Sequence, residues 1–150
     1  DLDLFFFFFL ELPEYQWCIA GSYQRNLAIK IGSFKNVHCF GTIDYMELPN
    51  WMAHLDTLVA LYNQTAESVD SSKIYDYLSS GKPIISTPFG NANQFGELVK
   101  IACGVNKWKD ALQESVIEND VLIASRRRKA ASENTWDKRA KVFKEWILQI

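Results

Sequence analysis

The chain has 150 residues, 48% hydrophobic and 23% charged, proportions that fit one ordinary globular domain and exclude a disordered chain. Its 16 basic and 18 acidic residues leave a formal net charge of −2, so no general field draws it to nucleic acid or an anionic membrane. Three cysteines without metal-ligand spacing and two histidines give no basis for a disulfide framework or a His-rich metal site.

The first segment, "LFFFFFL" (Leu4 to Leu10), is the most apolar stretch, yet it is too short to span a bilayer and lacks the flanks of a signal peptide. Consecutive aromatics suit a strand or a buried helix. The following "ELPEYQ" is too short for a crossover between parallel neighbours. The run therefore reads as a first helix reaching about Leu12, with Asp1 or Asp3 as its cap.

Five apolar runs then follow: Trp17 to Ser22, Val37 to Phe40, Thr57 to Tyr62, Pro83 to Thr87 and Val99 to Cys103. They are near-continuous rather than alternating, the pattern of parallel strands covered on both faces. Cys18, Cys39 and Cys103 lie inside them and are expected to be buried, reduced thiols. Helical spacing separates most of the runs, as in Leu48, Met52 and Leu55 within "ELPNWMAHL". The alternation predicts an α/β fold with a doubly wound parallel sheet and helices on both sides. Since the order starts with a helix, the first strand is expected upstream of Asp1.

"SSKIYDYLSSGKPIIST" (Ser71 to Thr87) reads as a helix running into a strand, with Ile74, Tyr77 and Leu78 facing the core. Gly81 is its C-terminal cap, and Pro83 opens the strand. The preceding loop, Asn63 to Ser71, leaves the carboxyl end of a strand and exceeds the roughly 2–6 residues usual for such a connection. In open parallel sheets ligands gather at that end, and free N–H groups at a helix start suit a phosphate. Lys73 sits in the first turn, where a cation is mildly unfavourable, and Asp76 lies one turn on. Together they fit either an exposed ion pair or contacts to a phosphate and to sugar hydroxyls.

Beyond Cys103 the pattern is helical. Trp108, Leu112 and Val116 recur at four-residue spacing within Asn106 to Asp120. The basic run "SRRRK" (Ser125 to Lys129) reads as a solvated helix face. In the last helix, opened by Asn134 or Thr135, Trp136, Ala140, Phe143, Trp146, Ile147 and Ile150 form one apolar stripe that packs on its own domain or docks elsewhere. The chain holds no GxGxxG, Walker-type loop, GxSxG, CxxC or HExxH motif. His54, on an apolar-faced helix, reads as a surface or partly buried side chain. A receiver-like domain is a fold-level alternative only, because the acids it needs after a first strand are not in the chain.

In this order the segments resemble the C-terminal, donor-binding half of GT-B-fold glycosyltransferases. "YQWCIAGS" looks like the family's "fvliG", and "NVHCFGTIDYMELPNWMAHLDTLVALY" is similar to "nv.f.G.v.y.elp.yla..dv.l.p". "SSKIYDYLSSGKPIIST" resembles "s.K.yEYLa.GkPVvst", and "SENTWDKRAKVF" resembles "nsWd.Ra". The resemblance implies a Rossmann-like, single nucleotide-sugar-binding domain over residues 1–150. Its first strand and the acceptor-binding N-terminal half would lie outside the chain.

The resemblance further implies metal-independent transfer of a sugar from a UDP- or GDP-sugar, without a cofactor, once the acceptor half is joined. The chain alone would be inactive. Asp76 takes the position of the acid that contacts the donor ribose, and Lys73 that of the lysine near the diphosphate. Gly41, Thr42 and Ile43 would approach the base, and Glu67, Asp70 and Ser72 the diphosphate or donor sugar. Relatives carry a second glutamate upstream; its counterpart is Ser68, with Glu67 beside it. A cytoplasmic protein follows, peripheral at the inner membrane face only through the other half, with no nucleic-acid partner. The alternatives are a nucleotide-sugar 2-epimerase, whose extra acids and histidines are not found here, and a degenerate domain acting as scaffold.

Overall fold

The computed structural model describes residues 2–23, 25–62 and 70–148. They form an α/β protein with two small parallel sheets and several helices. The chain divides into two compact units, Asp1–Asn50 and Trp51–Ile150.

The first unit opens with α1 (Leu2–Glu11), which contains the phenylalanine run. A strand would send alternate rings to opposite faces, whereas a helix gathers every third or fourth onto one. Phe5 and Phe9 accordingly meet at 5.8 Å between ring centroids, and Phe8 and Phe9 are buried. Phe8 stacks on Trp17 at 5.0 Å and Phe9 tilts against Phe34 at 5.4 Å, so α1 covers the start of β1 (Trp17–Ala20). The chain crosses over through α2 (Arg25–Ile31) to β2 (Val37–Gly41), parallel to β1 with Cys18 opposite His38. Buried Asn36 ties the layers together: its Nδ2 donates to Phe9 O at 3.2 Å, and its carbonyl accepts from Trp17 N at 2.8 Å.

This two-stranded sheet corrects one expectation. Its strands are not covered on both faces: burial alternates along β1, and His38, Cys39 and Phe40 of β2 are exposed. The three thiols are likewise free but exposed, not buried. Cys18 points to the uncovered side of β1, and Cys103 lies just past the end of its strand. A 3-10 turn (Tyr45–Glu47), capped by Asp44 Oδ1 accepting from Met46 N at 2.9 Å, then leads into α3 (Leu48–Ala53).

The second unit carries β3 (Leu58–Ala60), β4 (Ile84–Ser86) and β5 (Lys100–Ile101), all parallel and ordered β3-β4-β5. Every residue of β4 is buried, as a near-continuous apolar run predicts for a central strand. Between β3 and β4 runs α4 (Ser72–Ser80), which buries Ile74 and Leu78. It ends at Gly81, whose φ of 78° is the left-handed conformation that a side chain resists and glycine accepts. A segment of 3-10 turns (Gly90–Leu98) connects β4 to β5, and α5 (Val105–Val116) buries Trp108 and Leu112.

The next helix, α6 (Val121–Glu133), is capped by Asp120 accepting from Leu122 N and Ile123 N, and it packs on α4. Here a second expectation fails. Arg127, within the basic run, is fully buried rather than solvated. Its guanidinium donates to both carboxylate oxygens of Glu118, to Leu98 O at 2.9 Å and to Gly81 O at 3.3 Å. Burying a charge is costly unless it is paired and hydrogen-bonded, and this one is both. The last helix, α7 (Trp136–Ile147), is capped by Thr135 and buries no residue. Among the described residues no helix is long and apolar enough to cross a membrane.

Candidate functional site

The site lies in the second unit, past the carboxyl ends of β3 and β4. The chain leaves β3 through Leu61 and Tyr62. Thr87, just beyond β4, fixes this exit: its Oγ1 accepts from Tyr62 N at 2.8 Å and donates to Tyr62 O at 3.1 Å. The Tyr62 ring stacks on buried Phe89 at 3.9 Å. Two adjacent strand ends are thereby held together at the place where open parallel sheets take their ligands.

At Asp70 and Ser71, just ahead of α4, a polar cluster anchors the chain. Asn91 reads the backbone of Ser71 as a neighbouring strand would: its Oδ1 accepts from Ser71 N, and its Nδ2 donates to Ser71 O, both at 3.1 Å. The same Nδ2 donates to Asp70 Oδ1 at 2.5 Å. From α7, Arg139 Nη1 donates to Asp70 Oδ2 at 2.8 Å. The guanidinium also lies 4.6 Å from the Tyr75 ring centroid. The bond to Asp70 leads the effects that hold Arg139 charged above its ordinary range, and the Tyr75 hydroxyl adds to them. Asp70, expected to face a diphosphate, thus has both oxygens engaged.

Ser71 occupies the cap position of α4, but its hydroxyl does not cap the helix. It pairs instead with the Tyr62 hydroxyl at 2.5 Å. The N–H groups of the first turn, at Ser72 and Lys73, therefore receive no bond from the cap side chain. Ser72 and Lys73 are exposed, and the Lys73 ammonium stands 5.6 Å from the Tyr62 ring centroid, a cation–π contact. Asp76, one turn further along α4, is half-buried. Beside it, burial first, then the charges of Tyr62 and Asp76, push the Tyr77 hydroxyl up to about 12.

The remaining expected contacts fall elsewhere. Gly41 ends β2, and Thr42 and Ile43 follow it, in the first unit. Gly41 has a φ of 68°, and a β-carbon placed on it would meet nothing within 4 Å. Its carbonyl accepts from Gly21 N at 2.7 Å, Thr42 is exposed and Ile43 is half-buried. Glu67 and Ser68 lie outside the described residues. Lys73, Asp76, Ser72 and Asp70 are gathered on one helix start, and Asn91, Arg139, Tyr62 and Thr87 join them without having been picked out from sequence. Among the described residues no group of three or more His, Cys, Asp or Glu side chains is arranged to hold a metal ion.

No protein-family model, curated protein or solved structure matches the chain.

Proposed function

We propose that the chain is the donor-binding half of a GT-B-type glycosyltransferase, which transfers a sugar from a nucleotide-sugar to an acceptor held by a second half. The observation that carries this reading is the start of α4. It follows the carboxyl end of β3, its cap hydroxyl is turned to Tyr62, and Lys73 stands exposed beside it. A nucleoside diphosphate would receive first-turn N–H groups, the positive end of the helix dipole and a full cation. Those donors would stabilise the charge that develops on the leaving diphosphate as the glycosidic bond breaks. Asp76 would accept hydrogen bonds from ribose hydroxyls.

Strand pairing supports the Rossmann-like part of the proposal. A doubly wound sheet has the order 3-2-1-4-5-6. Without strand 1 it leaves a pair, 3-2, and a triplet, 4-5-6. Each taken by itself, the pair β2-β1 and the triplet β3-β4-β5 have the internal order, parallel direction and chain sequence of these pieces. The acceptor half, a cytoplasmic setting and any general base belong to the same proposal.

Calorimetry on the full-length protein with UDP- and GDP-sugars tests it. Lys73→Ala and Asp76→Ala should each weaken donor binding by roughly tenfold or more, the worth of a charge-assisted hydrogen bond. A protein that gives no heat with any nucleoside diphosphate would sink the reading. One observation favours a second reading, a non-catalytic binding domain: the Asp70 carboxylate is consumed by Arg139 and Asn91. In that case Asp76→Ala leaves the function of the full protein intact.

A further inference from the structure

Along α7 every residue but Arg139 is exposed, and Arg139 reaches across to the start of α4. Its guanidinium forks over two residues there. Nη1 donates to Asp70 Oδ2 at 2.8 Å, and Nη2 donates to the Tyr75 hydroxyl at 2.5 Å. Asn91 holds the other Asp70 oxygen together with both backbone groups of Ser71. As a fold contact the ion pair counts for little: its side chains are 36% and 52% exposed, and open pairs of this kind add almost nothing to stability. What the pair does control is where the acid points.

Asp70 and Ser71 are the two side chains just ahead of α4 with the chemistry to accept from its first-turn N–H groups, as caps do. Both are turned to other partners. Ser71 Oγ pairs with the Tyr62 hydroxyl, and the Asp70 carboxylate is divided between Arg139 and Asn91. A free carboxylate at Asp70 would be drawn to the positive end of the helix and would repel any phosphate arriving there. We infer that Arg139 is a positioning residue for the donor diphosphate: it neutralises Asp70, holds it off the first turn of α4, and so leaves those N–H groups and Lys73 to the phosphates. This role rests on the donor-binding reading and adds to it a residue 69 positions from Asp70, which acts through that acid and not on the donor itself. Asp70 is then a masked acid and not a contact to the diphosphate.

Calorimetry on the full-length protein with UDP and GDP tests the role, using whichever of the two the parent binds. Arg139→Ala should weaken binding by about tenfold, the order expected of one unmasked charge several ångströms from a diphosphate at a protein surface. The deficit relative to the parent should shrink as salt rises, because salt screens an exposed charge. Asp70→Asn/Arg139→Ala should recover most of the lost affinity, since the acid to be masked is gone. A merely structural Arg139 would give neither the salt dependence nor the rescue. Melting temperatures should stay close to the parent's, as the pair is open to solvent. If Arg139→Ala melts early, Arg139→Gln, which keeps a donor for Asp70 but not the charge, should show the same salt-dependent deficit. A parent that binds neither nucleoside diphosphate overturns the donor-binding reading and this role with it. A parent that binds while Arg139→Ala binds equally well at low salt overturns the role alone, as does a deficit that Asp70→Asn leaves in place.

Discussion

The two units solve the same problem, a small parallel sheet beside helices, with different chemistry. Asp1–Asn50 relies on ring packing: Phe8 on Trp17, Phe9 on Phe34, and a buried asparagine as its polar tie. Trp51–Ile150 buries a full charge at its centre, and Arg127 joins the turn at Gly81, the carbonyl of Leu98 and the acid Glu118. Aromatic contacts are broad and forgiving of small shifts, whereas a guanidinium with four acceptors fixes each partner to a few tenths of an ångström. The difference teaches where each unit is brittle. The first should lose stability in proportion to the area removed, and the second should fail at one residue.

The sharpest way to break that comparison is Arg127→Ala. Removing one member of a buried pair leaves the Glu118 carboxylate and two carbonyls without their donor, which should cost about 3–5 kcal/mol in a urea melt. Replacing the pair together, as Arg127→Met/Glu118→Leu, should recover most of that loss, because the uncompensated charge disappears with it. Equal damage from the single and double variants would show that the pair is not the centre of the unit.

In the first unit the matching probe is Phe8→Leu, which keeps an apolar side chain but removes the ring stacked on Trp17. The loss should be about 1–2 kcal/mol, from incomplete filling and the lost aromatic pair. Hydrogen exchange should place it among the amides of β1 and α1. Gly81→Ala tests the second unit at a similar level. Its φ of 78° disfavours a β-carbon by about 1–2 kcal/mol, and the added carbon would come 2.7 Å from the tip of the Arg128 side chain, which can swing aside. Asp120→Ala should cost about 1 kcal/mol, by removing the cap of α6.

Much of this architecture was written in the hydrophobic pattern. Four of the five strands fall inside the apolar runs and β2 passes the end of its run by Gly41 alone, and the phenylalanine run is helical because its connection to β1 leaves no room for a crossover. Burial was less legible. Val37–Gly41 and Ile84–Ser86 both belong to runs read as apolar strands, yet only the latter is covered throughout, since coverage depends on helices elsewhere in the chain. Arg127 was hidden for the same reason: the run around it carries no sign that one arginine faces inward toward Glu118. Lys73 and Asp76 were found because they share one turn of a helix. Asn91 and Arg139 were not, since the contacts that bring them to Asp70 span tens of residues. "GNANQFG" has no period to read, and Arg139 sits within an otherwise exposed helix.

The smallest expected effect separates the units by proton rather than by volume. In the first unit, burial and the nearby Glu14 raise the Tyr15 hydroxyl; in the second, Tyr77 is pushed up to about 12. An unfolded tyrosine loses its proton near pH 10, while folded Tyr77 keeps it about two units longer. Between those values the unfolded chain binds fewer protons than the folded one, so stability must fall as pH rises. The contribution of Tyr77 is therefore complete below pH 10 and is lost as pH climbs from 10 toward 12. Tyr77→Phe gives up only a long 3.5 Å bond to Val59 O, so it should change neutral stability little. It should, however, flatten the alkaline decline in urea melts between pH 9 and pH 11.5. If the decline is unchanged in Tyr77→Phe and vanishes instead in Tyr15→Phe, the proton-linked weakness belongs to the aromatic unit, and the contrast between the two cores is reversed.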